Sequence, residues 1–192
     1  NLSIAYGVGI MPFVLYNFKL NGNTSQYAIK EKDINFLRLY HNEIVPEMEM
    51  IFVDSNNIFK DNTPTDDKKI RVFLNPKDSS LKPINLQFKI VEFDNMGGSK
   101  FRIIGKIDIP ELYRIDYKSY LGTSNEALRE ICKKLEIGFN SNINKSDDLM
   151  SWRNVGDKYN DFVTDVIKHS YVSDKSFMRG FIDYYYCLNF VD

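Results

Sequence analysis

The sequence predicts an α+β fold: an antiparallel β-barrel over residues 1–115, then a smaller α+β domain over residues 116–192. Three observations carry this. About six stretches before residue 115 alternate apolar with polar residues and are separated by Gly, Asn and Pro, as in strands with one dry and one wet face. Two stretches beyond it place apolar residues on one helical stripe. Aromatics make up 14% of the chain, with 12 Tyr and 14 Phe, and such side chains fill pleated surfaces and large interfaces.

In chain order, residues 4–20 are apolar and aromatic; Pro12 suits a strand start, and from Phe13 the run reads as a strand partly covered on both faces. Asn21, Gly22 and Asn23 supply turn chemistry, because Gly and Asn reach positive φ at little cost. Residues 26–34 alternate loosely, and residues 36–40 read as a further strand. Residues 47–53 alternate Glu and Met before becoming wholly apolar, which gives a strand with one wet and one dry face. Residues 54–69 are polar and contain Asn56, Asn57, Pro64, Asp66 and Asp67, a surface loop whose length suits an assembly contact. Residues 70–74 form a short strand stopped by Asn75 and Pro76. The clearest hairpin follows: residues 84–93 and 101–109 alternate on either side of Asn95, Met96, Gly97, Gly98 and Ser99. The Gly97-Gly98 pair lacks the Lys-Ser/Thr and the strand-to-helix setting of a phosphate loop, so it reads as a turn. Pro110 ends the last strand, and residues 109–115 are the hinge.

In the second part, Thr123 and Glu126 match a capping box, and Leu128, Ile131, Cys132 and Leu135 follow at i, i+3, i+4 and i+7. Gly138 stands where a helix C-terminus favours positive φ. Residues 140–148 form a polar loop. Its Asn144, Asp147 and Asp148 raise the question of a hard cation, but the Gly and closing Glu of a calcium loop are missing, so the acids are read as stabilising a helix's positive end. Trp152, the single tryptophan, reads as a packing anchor or an interface residue. Residues 157–171 form the second helix, with Tyr159, Phe162, Val163, Val166, Ile167 and Ser170 on one face and Asp161, Asp165 and Lys168 on the other. Residues 173–176 break it, and residues 177–191 return to one aromatic strand holding the lone acid Asp183.

Composition sets bounds on function. A formal net charge of -1, made up of +1 over residues 1–115 and -2 over residues 116–192, argues against a nucleic-acid binder that acts through the whole protein. Cys132 and Cys187 read as buried free thiols rather than a disulfide framework. No apolar run approaches the roughly 18 residues of a membrane span. His41 and His169 stand in no nucleophile, zinc or glycine-elbow motif, so no catalytic, cofactor-binding or metal-binding residue is assigned and the chain reads as a non-enzyme. It starts without Met and stops directly after an apolar strand, the expectation for part of a longer protein.

Residues 117–191 carry a resemblance. Tyr120-Leu121-Gly122-Thr123-Ser124, a helix ending Leu135-Glu136-Ile137-Gly138-Phe139, Asn144 and Asp148 before Trp152, the helix around Phe162 and Ile167, and finally Phe181-Ile182-Asp183-Tyr184-Tyr185 with Leu188-Asn189-Phe190-Val191 are together similar to the central baseplate hub proteins of contractile-tailed phages. That family is related to the amino-terminal part of type VI secretion spike proteins. The resemblance implies a virion structural protein of a contractile injection system, assembled in the host cytoplasm. It further implies that the first domain is a tail-tube-like barrel and the second a linking domain. Three chains of the full-length protein would form a homotrimer that adapts the tail tube protein to the central spike protein, around a channel that passes DNA without specific binding and with no membrane insertion by this chain. Two other readings stay open: a tail module that binds or degrades peptidoglycan or another glycan through Trp152 and nearby acids, and a generic β-barrel that binds a small ligand.

Overall fold

The structure, a computed structural model, describes residues 13–20, 23–59, 68–76 and 81–192. The turn read at Asn21 and Gly22, the start of the first apolar run and residues 60–67 of the polar loop lie outside them. The chain divides into two compact units, Asn1–Asn42 with Pro46–Asp108, and Glu43–Val45 with Ile109–Asp192.

The first unit is one seven-stranded sheet built from β1 (Phe13–Leu20), β2 (Asn23–Ile29), β3 (Ile34–Asn42), β4 (Val45–Val53), β5 (Lys69–Leu74), β6 (Ile84–Gly97) and β7 (Lys100–Ile107). The strand order is β2-β1-β5-β6-β7-β4-β3. The β1–β2, β1–β5, β5–β6, β6–β7 and β4–β7 ladders are antiparallel. The two edge strands, β2 and β3, are consecutive in the chain and joined only by Lys30 and the 3-10 turn Glu31–Asp33. Six flat inter-strand gaps would set the edges about 29 Å apart. Five residue steps reach at most about 18 Å. The sheet therefore curls, into a half-barrel whose edges no ladder joins among the described residues. The loosely alternating stretch at residues 26–34 holds the end of β2 and this tight corner, rather than one strand.

Alternation decides which side chains enter the concave core. Met48, Met50 and Phe52 of β4, Ile70 and Val72 of β5, Leu86 and Phe88 of β6, and Phe101, Ile103 and Ile107 of β7 are all buried. Their outward neighbours make ion pairs: Glu49 takes Arg38 and Arg102 at 2.8 Å each, and Lys69 meets Asp108 at 2.6 Å. Gly105 completes the inner row of β7, where an added Cβ would stand 2.9 Å from Phe88 Cβ, so glycine here makes room for the phenyl ring. The β6–β7 register shifts between Ile90 and Glu92. One extra residue reverses the alternation. Phe93 accordingly joins the aromatic cluster with Phe101 at 5.1 Å and Phe59 at 5.8 Å, while Glu92 stays outside beside Arg102. The hairpin turn is shorter than the five residues read from the sequence: β6 runs to Gly97 and β7 resumes at Lys100, with positive φ at Gly97 and Gly98.

The second unit contains β8 (Ser119–Gly122), α1 (Ser124–Lys134), β9 (Gly138–Ser141), β10 (Met150–Arg153), α2 (Tyr159–Lys168), β11 (Arg179–Ile182) and β12 (Cys187–Val191). β8 and β10 form a two-stranded antiparallel sheet. β12 pairs antiparallel with β11 and parallel with β9. α1 buries Leu128, Ile131 and Cys132 with Leu135 just beyond, and α2 buries Tyr159, Phe162, Val163, Val166 and Ile167. Both stripes are those read from the sequence.

Two local readings are corrected. The left-handed residue after α1 is Glu136 (φ 56), not Gly138. Ile137 N–H donates to Cys132 O at 3.0 Å and Glu136 N–H to Lys133 O at 3.3 Å, the bond pair of a Schellman ending. Gly138 instead opens β9, where an added Cβ would lie 3.0 Å from Cys187 Sγ, so its smallness serves the parallel pairing with β12. The terminal aromatic run is a hairpin rather than one strand. Asp183 makes its turn: Oδ1 accepts from Tyr185 N–H at 2.8 Å and Cys187 N–H at 3.0 Å, and Oδ2 from Asn189 Nδ2 at 3.0 Å. A carboxylate holding two turn amides and a cross-strand amide forces reversal where β propensity alone extends the chain.

Candidate functional site

Besides the turn at Asp183, two polar clusters stand out in the second unit, both structural in their chemistry. The first is the N-terminus of α1. Thr123 and Glu126 form the full capping box, with Thr123 N–H donating to Glu126 Oε2 at 2.9 Å. Two further amides of the first turn are met from a loop more than twenty residues on. Ser124 N–H donates to Asp148 Oδ1 at 2.8 Å, and Asn125 N–H to Ser146 Oγ at 3.2 Å. Asp148 Oδ2 takes Tyr171 N–H at 2.9 Å, so this one buried carboxylate ties α1 to the segment following α2. Burial by itself would raise the Asp148 carboxyl; the hydrogen bonds from Ser124, Tyr171 and Ser146 outweigh it and leave the group below the ordinary carboxylate range. The acid read as serving a helix's positive end does so, but for the helix before it in sequence. Asp147 and Asn144 are exposed beside it.

The second cluster is a relay of hydroxyls. Tyr159 donates to Asp116 Oδ2, so its oxygen can only accept from Tyr120, 3.0 Å away. Lys134 Nζ closes the chain on the same Asp116 oxygen at 2.6 Å and lies 4.9 Å from the centre of the Tyr159 ring. The hydrogen bonds from Lys134 and Tyr159 lower the Asp116 carboxyl to about 2. Burial, then the bond to Asp116, raises Tyr159 to about 12; burial, then its bond to Tyr159, raises Tyr120 as well. Nothing here is poised to exchange a proton near neutral pH. Tyr159→Phe should leave the buried Tyr120 hydroxyl without its acceptor and cost about 1–3 kcal/mol in urea unfolding. A depressed carboxyl stabilises fully above its unfolded value, near 3.9, and loses that contribution as pH falls through its folded value. Carboxyl NMR should therefore show Asp116 titrating closer to 3.9 in Tyr159→Phe, and the stability that this carboxyl loses to acid should be smaller and its loss complete at a higher pH.

The remaining sequence candidates are dispersed. Trp152 is buried in β10, donating from Nε1 to Gly122 O at 3.1 Å, so its ring serves packing and presents no glycan platform. Cys132 is buried, and burial pushes its thiol up to about 12; Cys187 is half-buried, and both are free. His169 is exposed on the last turn of α2 with Asp165 at 3.1 Å. Among the described residues no group of three His, Cys, Asp or Glu is placed to hold a metal ion, and no helix is long and apolar enough to cross a membrane.

What the second unit does present is apolar surface. Leu121 of β8 is 83% exposed and Leu149, just before β10, 80%. Tyr117 and Val155 are exposed near by in the chain, as are Phe177 before β11 and Tyr185 in the terminal turn. Sequence patterning could not find these positions, because an exposed apolar residue, in a loop or on the wet face of a strand, reads in one dimension as part of the core.

No family model matches the chain, and no curated protein matches it. Solved structures do. The prophage tail protein gp18 from Listeria monocytogenes EGD-e aligns over 94% of this chain and 50% of its own, with a TM-score of 0.56 and 11% identity. The 43 kDa tail protein of prophage MuSo2 from Shewanella oneidensis aligns over 93% of this chain and 53% of its own, with a TM-score of 0.51 and 13% identity. The chain thus spans about half the length of each. At such identities the likeness speaks for architecture: a curled antiparallel sheet followed by a smaller two-helix α+β unit is a fold this chain shares with phage tail proteins.

Proposed function

We propose that this chain is a structural component of a phage-type tail, part of a baseplate hub that adapts the tail tube to the central spike and forms part of the channel through which DNA passes. Residues 1–115 act as the tail-tube-like barrel and residues 116–192 as the linking domain, and three copies of the full-length protein assemble into the hub. The observation that carries this reading is the likeness to two phage tail proteins across more than nine-tenths of the chain. Ion pairing supports it in a physical way: Glu49 with Arg38 and Arg102, Lys69 with Asp108 and Lys106 with Glu47 offset basic side chains on the outer face of the curled sheet, which suits a wall that must not retain phosphates.

The test is assembly. Full-length protein mixed with its tail tube protein should form a threefold ring that caps tubes in electron micrographs. Full-length protein that stays monomeric and never meets tube ends would overturn the hub. Release of soluble sugar or peptide from host cell wall would move the assignment to a wall-degrading tail module.

A further inference from the structure

The open edge of β8 is the feature that the tail reading does not use. Asn154 N–H donates to Lys118 O at 3.1 Å, which makes that couple a hydrogen-bonded pair of the β8–β10 ladder. Such pairs alternate, so Tyr120 with Trp152 and Gly122 with Met150 are also bonded. The backbone N–H and C=O groups of Ser119 and Leu121 therefore point away from β10, and among the described residues nothing donates to or accepts from them. They face a groove of about 510 Å³ lined by Lys118 to Leu121 on one side and by Glu126, Arg129 and Glu130 of α1 on the other. An exposed edge beside a nearly fully exposed leucine is a template for another strand.

We propose that this edge docks a second copy of the chain, β8 against β8, antiparallel about a twofold axis. Register and charge select this occupant. Pairing Ser119 with Leu121 of the second copy satisfies all four open backbone groups of each strand and centres the axis on Tyr120. In that register Lys118 of the second copy falls opposite Gly122, where Glu126 Oε2 stands 2.6 Å from the position of an added Cβ. Two cation–carboxylate pairs form by symmetry. The two Leu121 side chains become diagonal neighbours, within reach across adjacent strands. Leu121 and Leu149 lie on either side of the β8–β10 register, so one apolar strip runs through the joined four-stranded sheet. This contact involves the second unit alone and is independent of the tail reading, whose threefold assembly is a property of the full-length protein.

Sedimentation equilibrium of the 192-residue chain should show a monomer–dimer equilibrium. Leu121→Lys should weaken it by about tenfold or more, the equivalent of one lost buried leucine, with the circular dichroism spectrum unchanged. Mixing Ser119→Cys chains with Leu121→Cys chains under mild oxidation should give a covalent dimer, because a bonded antiparallel pair sets Cα atoms about 5.5 Å apart. A monomer at every concentration overturns the proposal. So does a dimer that Leu121→Lys leaves intact, or one whose mixed cysteine chains do not cross-link.

Discussion

Phe59→Ala should be the most damaging single change in the first unit, costing about 3–5 kcal/mol in chemical unfolding. Phe59 comes from the loop after β4 and is 1% exposed. Its ring meets Tyr27 at 5.3 Å and Phe52 at 5.4 Å, both edge-on, and Phe93 and Phe101 at 5.8 and 6.1 Å. Truncation would remove the shared partner of four rings, and strands tied by ladders cannot close over the gap. The loop is fixed to the sheet independently of the ring: Phe59 N–H donates to Asp54 Oδ2 at 2.7 Å, and Asp54 N–H to Ser99 O at 2.7 Å. The backbone should therefore stay in place and the cavity persist, the condition under which truncation is most costly. Phe59→Leu keeps most of the volume and should cost clearly less. Equal losses for the two variants in urea titrations, or a loss under 1 kcal/mol for alanine by the buried-aromatic scale, would mean that the ring does not hold the cluster together.

Asp148→Ala should be the corresponding break in the second unit, at about 2–4 kcal/mol. Ser124 is fully buried, so its N–H loses its acceptor with no water to replace it, worth about 1–3 kcal/mol. The negative charge at the N-terminus of α1 adds about 0.3–1 kcal/mol. Tyr171 is exposed, and water can take over its N–H at smaller cost. Asp148→Asn separates the two contributions, because an amide oxygen still accepts one bond but carries no charge. The pH dependence follows from the sign of the shift: the folded carboxyl lies below its unfolded value, so its contribution is complete above about pH 3.9 and drains as pH falls through the folded value. Stability measured from neutral pH down to strongly acidic pH should fall less steeply in Asp148→Asn than in the parent chain. Parallel curves would show that the carboxylate charge contributes nothing to the clasp.

These two residues mark where one-dimensional reading reached its range. Asp148 was visible as an acid suited to a helix's positive end, yet its helix begins 24 residues earlier, and only chain folding brings Ser124 to it. Phe59 lay in a stretch whose polar composition reads as solvent-exposed loop; one phenyl ring does not alter a composition, but it closes a core. Asp183 was visible as an isolated acid in an aromatic run, and the run is a hairpin because of the backbone amides that acid collects. Gly138 was read by its commonest use at helix ends, whereas its neighbour across the sheet decides the need for glycine.

By itself the sequence determined what local physics decides: the strands of β4 through β7 from period-two alternation, both helices from their apolar stripes, and the start of α1 from the reciprocal bonds of Thr123 and Glu126. Those features depend on residues a few positions apart, where spacing fixes geometry. The tertiary structure decided the strand order that curls the first sheet, the bulge that turns Phe93 inward, the clasp at Asp148 and the open edge of β8. Each arises between residues far apart in the chain, and alternation states that a strand has two faces without stating which neighbour, if any, will cover its edge.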